Sequence, residues 1–155
     1  MTTLLRGAAA AAGSMLMAAV AFSAFADPEG GRPIKVTMTG AAEAPGPGDP
    51  DGTGTANFRV NVGQKQVCYE LVADRIDSAT AAHIHRAAAG VAGPVVVPLA
   101  APTHGTSEAC ATVTKELAKE LIQTPEAFYV NVHNAAFPAG AIRGQLTKEP
   151  PAQQD

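Results

Sequence analysis

Short runs of alternating side chains, each broken by glycine or proline, constrain this chain more than any other feature. Ile34, Val36 and Met38 alternate with Lys35, Thr37 and Thr39. Ala56, Phe58, Val60 and Val62 alternate with Asn57, Arg59 and Asn61. Successive side chains on a strand point to opposite faces, so this period belongs to strands with one buried side. The same reasoning predicts strands over 67–73, 82–86, 95–99, 109–113, 128–132 and 141–146. Gly63 to Gln66 forms a turn that makes a hairpin of two of them. Residues 40–54, dense in Gly, Pro and Asp, read as a long loop, and 74–80 as a polar connection. One short helix is expected over 115–122, capped by Thr114, with Leu117 and Leu121 one turn apart and Pro125 beyond its end. Seven or eight short strands with at most one helix indicate an all-β antiparallel sandwich or barrel.

The N-terminus has the form of a secretory leader. Arg6 precedes an alanine-rich apolar stretch from Ala8 to Phe25, which closes on Ala24-Phe25-Ala26. That small-x-small pattern suits signal peptidase and predicts cleavage after Ala26. Residues 27–147 then make one domain, and 148–155 a polar, proline-containing, disordered tail. Loss of Arg6 takes the formal charge from −3 to −4. No Lys/Arg run and no basic-aromatic interleaving is present, which argues against nucleic acid and anionic membrane as partners. No second long apolar segment follows, so no membrane span is expected after cleavage. In an exported chain, the two cysteines, Cys68 and Cys110, are most simply a disulfide. A thiol metal site or redox pair fits less well, because no C-x-x-C is present.

All four histidines fall between residues 83 and 133. His83 and His85 flank Ile84 on a predicted strand and so share a face. On the later strand Phe128, Val130 and Val132 form the apolar set, which places Tyr129, Asn131 and His133 on the opposite face. If the two strands are neighbours, about 4.8 Å apart, His83, His85 and His133 converge on the outer wall of one sheet. Three imidazoles suit copper or zinc, with a fourth position for water, His104 or an exogenous ligand. The alternative is that the histidines donate ring N–H groups to backbone carbonyls and pin the Gly/Pro loops. Arg143 has two roles open to it: a fixed cation guiding an anion, or an anchor for loop carbonyls, the role its five donors suit better. Gly90 and Gly93 allow a tight reversal after the His-x-His strand. Gly48 to Gly52 carries a D-x-D-G look, but the rest of a calcium loop's spacing is absent and a turn is the better reading. Glu43 stands isolated beside it.

The stretches HIHRAAAGVAGPVVVPL (His83–Leu99) and YVNVHNAAFPAGAIRGQL (Tyr129–Leu146), with Val-Cys-Tyr-Glu-Leu at 67–71 and the later Cys110, resemble the CHRD family, the domain repeated in chordin and common in exported bacterial proteins. The resemblance implies an extracytoplasmic β-sandwich of immunoglobulin-like or superoxide-dismutase-like Greek-key shape. It carries no settled enzymatic activity. A more distant similarity is to copper–zinc superoxide dismutase, through His83, His85, His104 before Gly105, and His133. The second histidine–aspartate cluster and the long electrostatic loop of that family are missing.

No Ser stands in a nucleophile elbow, no carboxylate pair forms an acid–base couple, and no phosphate loop is present. The expectation is therefore an exported, periplasmic or secreted protein that binds copper, with zinc as the alternative, at His83, His85, His133 and His104. Arg143, Asn131 and Tyr129 would stand behind the ligands. The competing reading is a non-catalytic structural or interaction module with an envelope protein as partner. A dismutase-like redox enzyme ranks last.

Overall fold

Eight strands and one helix follow one another in the computed structural model, which describes residues 30–148. The expected leader, and all of the expected tail except Lys148, lie outside the described residues. The elements are β1 (Arg32–Thr39), β2 (Thr53–Asn61), β3 (Gln66–Asp74), β4 (Ala79–Arg86), β5 (Val95–Leu99), β6 (Thr106–Thr112), α1 (Lys115–Gln123), β7 (Phe128–Asn134) and β8 (Ile142–Gln145). The strands lie in the order β5-β4-β7-β8-β1-β2-β3-β6, with every pair antiparallel.

The all-β antiparallel architecture is thus the one expected, with a refinement in how it closes. A sandwich has two separate sheets, whereas here one continuous ladder curls until its edges approach. Ser107 Oγ donates to the Ala100 carbonyl at 2.8 Å, and the Ala100 N–H donates to the Tyr69 hydroxyl at 2.7 Å, joining the β5 end of the sheet to the β3–β6 end. Near-closure leaves little unpaired edge. Prolines 94 and 98 at and beside β5 blunt that edge further.

The alternating residues fill the interior. Met38, Ala56, Val67, Leu71, Ile84, Phe128, Val130, Val132 and Ile142 are all fully buried in one cluster. β2 begins earlier than its apolar pattern announces, because Gly54 takes an inward position there. A Cβ at Gly54 would run into the Val72 carbonyl and crowd Ile142 and Met38. β6 also runs longer than expected. Its half-buried positions are Ser107, Ala109 and Ala111, too small to mark a pattern, and pairing with β3 defines it instead. The helix forms where expected. The Thr114 hydroxyl accepts from the Leu117 N–H at 3.1 Å, and the helix buries Ala118 and Leu121 against the core. Arg86, at the end of β4, ion-pairs with Glu120 of α1 and lies 4.7 Å over the Phe128 ring.

Cys68 and Cys110 are directly opposite in the β3–β6 register and form a disulfide across a sequence separation of 42. In the chain-entropy model a loop of that length contributes about 3–4 kcal/mol. We predict that Cys68→Ala/Cys110→Ala lowers unfolding free energy by about that much in urea titration, at unchanged strand content by circular dichroism. A loss below about 1 kcal/mol would contradict a role in holding β6 to the sheet.

Candidate metal centre

The ladder that buries Ile84 and Val130 also sets out the site. β4 and β7 are neighbours, with His83 opposite Asn131, His85 opposite Tyr129 and Ala81 opposite His133. β8 continues the rows, placing Arg143 beside Asn131 and Gln145 beside Tyr129. The face away from the core therefore carries His83-Asn131-Arg143 in one row and His85-Tyr129-Gln145 in the next, with His133 diagonal to His83.

This face is not the open wall that alternation alone suggests. Arg143 is 1% exposed, Asn131 2%, Tyr129 3% and His85 8%, while His83 and His133 are half-buried. The connection from Ala87 to Pro94 folds back over the strands as a roof. Arg143 donates to the carbonyls of Val91 and Ala88, both at 3.0 Å. Gln145 donates to the Ala87 carbonyl at 2.9 Å, and the Gly93 N–H donates to the Tyr129 hydroxyl at 3.2 Å. The reversal needs glycine twice. Gly90 has φ +77°, and a Cβ at Gly93 would collide with the Arg86 carbonyl. Arg143 is thus a loop anchor, and its guanidinium also lies 3.4 Å over the Tyr129 ring. Tyr129 in turn stacks on His85, with ring centroids 4.7 Å apart.

Loop carbonyls fix how two of the rings carry their protons. His85 Nδ1 stands 2.8 Å from the Gly93 oxygen and His133 Nδ1 3.1 Å from the Pro138 oxygen. A carbonyl only accepts, so both Nδ1 atoms are protonated, and the lone pair of the neutral ring is at Nε2. A backbone acceptor behind an imidazole is the usual way a ligating histidine is oriented. His85 Nε2 is buried and has no hydrogen-bond partner. His133 Nε2 lies 3.1 Å from His83 Nδ1. One nitrogen from each of His83, His85 and His133 falls within 4.8 Å of the others. Nitrogens bound to one ion at about 2.0–2.1 Å stand no more than about 4.2 Å apart, so the group is within roughly half an ångström of that limit.

Burial pushes the His83 ring below the ordinary histidine range, and the neighbouring His133 and His85 rings push the same way. His133 is lowered as well, by burial first; the Pro138 carbonyl opposes this and His85 adds to it. Both rings are therefore held in the neutral form a metal needs. His104 is not in the group. It lies exposed on the turn between β5 and β6, 3.2 Å from the Thr103 hydroxyl.

The CHRD domain model matches residues 34–146. The chain belongs to the CHRD domain family. No curated protein and no solved structure matches it. The family match runs from within β1 to the residue after β8, so it takes in all but the first two residues of the barrel and every residue of the histidine group.

One residue beside the histidine group carries no mark in the sequence. Glu43 lies in the loop after β1 and packs behind Asn131, whose side chain hydrogen-bonds its carboxyl group. Its Oε1 is buried without a hydrogen-bond partner. A Cβ at Gly140, which has φ +149°, would sit on this carboxyl group, so glycine there makes its room. Burial raises the Glu43 pKa to about 7, against the opposing charge of Arg143 and the Ala44 and Asn131 hydrogen bonds. A concavity of about 830 Å³ lies elsewhere, on the outer face of β1, β2, β3 and β6 around Lys35, Arg59, Glu70 and the disulfide. None of the buried unpartnered polar atoms among the described residues belongs to it.

The raised pKa makes a signed prediction. Between the ordinary carboxyl value of 4.5 and about 7, the folded protein holds a proton on Glu43 that the unfolded chain releases. That stabilisation is full below the unfolded pKa and is lost as pH rises through the folded one. Glu43→Gln keeps a neutral group at all pH. Relative to the unaltered protein, it should therefore gain stability in urea titrations between about pH 5 and about pH 8. A pH-independent difference would show that Glu43 is ionised throughout.

Proposed function

We propose that this CHRD domain is an exported protein of the periplasm or extracellular space that binds one transition-metal ion, copper or zinc, at His83, His85 and His133, without catalysing a reaction. The observation that carries the reading is His85 Nε2, a buried ring nitrogen with no partner, in a group of three imidazoles. An unpaired buried acceptor costs about 1–3 kcal/mol, and a bound cation removes that cost. The donor set, three borderline nitrogens, suits copper or zinc and disfavours calcium or magnesium. Export is supported by the leader-like N-terminus and by the Cys68–Cys110 disulfide, a bond of oxidising compartments. Among the described residues no helix is long and apolar enough to cross a membrane. The dismutase reading has the least support, since His104 stands outside the group.

A second reading has its own observation. The ring bonds from His85 to Gly93 and from His133 to Pro138 tie down two loops, as they would in a structural module that meets an envelope partner. The two readings separate on metal titration. For the metal reading, the purified protein takes up one equivalent of Cu²⁺ or Zn²⁺, and His83→Ala/His85→Ala weakens binding by at least about a hundredfold. Equally weak binding by both proteins, with a lowered melting temperature for the variant, would favour the structural module.

A further inference from the structure

The three histidines leave one position of a four-coordinate ion to be filled, and a buried amide stands at it. We propose that the side-chain oxygen of Asn131 is the fourth protein ligand of the histidine site and that Glu43 is the positioning residue that turns it inward. This rests on the reading of His83, His85 and His133 as a metal site.

His133 Nδ1 gives its hydrogen to the Pro138 carbonyl, which leaves Nε2 as an acceptor. That Nε2 lies 3.0 Å from Asn131 Oδ1, which is also an acceptor. Two lone pairs facing each other at this distance repel. Without a cation between them, the favoured arrangement is the reversed amide, whose NH₂ group would donate to the ring.

The amide does not reverse because its nitrogen is engaged. It donates to the Glu43 carboxyl group behind it, so the oxygen is left facing the histidines. Glu43 is itself confined. Gly140 offers no Cβ to displace it, and a Cβ at Gly48 would stand 2.8 Å from its Cγ. Asn131 has no freedom to swing away, at 2% exposure in the middle of β7, with His83 opposite it on β4 and Arg143 on β8.

The separation suits shared ligation. Two ligand atoms at about 2.0–2.1 Å from a tetrahedral ion stand roughly 3.4 Å apart, close to the 3.0 Å between Asn131 Oδ1 and His133 Nε2 and the 3.1 Å between His83 and His133. His85 Nε2 supplies the remaining unpartnered lone pair. The result is a set of three imidazoles and one neutral amide oxygen. The signal in sequence is slight: Asn131 is two residues before His133, on the same strand face.

The test titrates the purified protein with Zn²⁺ against a chelator of known affinity, and with Co²⁺ to read coordination from its visible bands. Asn131→Ala should weaken Zn²⁺ binding roughly tenfold to a hundredfold and alter the Co²⁺ spectrum. Asn131→Asp presents an oxygen whichever way it turns, so it should bind at least as tightly as the native protein. Glu43→Gln should weaken binding in the native background, since a glutamine no longer selects one amide orientation. It should have no such effect in the Asn131→Asp background. Unchanged affinity and spectrum for Asn131→Ala, with binding lost in His83→Ala, would overturn the proposal and leave the three-histidine site standing. Absence of saturable binding by the native protein would overturn both. If Asn131→Ala does not fold, the Glu43→Gln pair decides: equal effects in both backgrounds would remove the positioning role.

Discussion

The guanidinium of Arg143 is almost wholly cut off from water and is answered from three sides. Two carbonyls of the connection after β4 accept from it, and the ring of Tyr129 lies beneath it. Hydrogen bonds to a charged donor are each worth about 1.5–3 kcal/mol net, and a buried charge without partners is far costlier than that. The roof over β4, β7 and β8 therefore closes only with the arginine in place, and the arginine is tolerated inside only because the roof is there. Everything distinctive about the histidine face follows. The roof brings the Gly93 carbonyl to His85, which fixes its proton on Nδ1 and leaves the other nitrogen bare. Tyr129, clamped by the same arginine, stacks on the His85 ring and holds its plane.

A barrel with one apolar interior thus carries a second, polar interior on its outside. The two differ in how they are specified. The first needs only alternation: any strand with large apolar residues at every other position can join it. The second depends on register, because His83, Asn131 and Arg143 meet only if three strands align to the residue. Near-closure of the sheet supports that alignment, since a slip of one strand would carry core residues to the outer face.

Most of the strands were legible because Ile84, Phe58, Val130 and their neighbours recur with period two. The ends were less so: Gly54 and the alanines of β6 occupy inward positions without apolar bulk, and only pairing with β3 reveals them as strand. The face shared by His83, His85 and His133 was also legible from phase, as were Tyr129 and Asn131 beside them. Their burial was not. Phase says which side of a sheet a residue takes, and nothing about what covers that side. The cover comes from a loop whose own residues, Ala87 to Gly93, are small and carry no chemical signal. Glu43 was illegible for a related reason. It reaches Asn131 only because the β1–β2 loop packs against the turn containing Gly140, a contact between distant segments that no local pattern encodes. His104 shows the converse: a histidine close in sequence to the cluster, followed by glycine, that the β5–β6 turn carries to the surface.

A metal site at His83, His85 and His133 requires that these imidazoles meet on one ion. X-ray absorption at the metal edge of the protein loaded with one equivalent of Zn²⁺ or Cu²⁺ tests it most directly. The expected inner shell has three imidazole nitrogens at about 2.0–2.1 Å, marked by the outer-ring scattering of histidine. An inner shell of oxygens without imidazole scattering would contradict it.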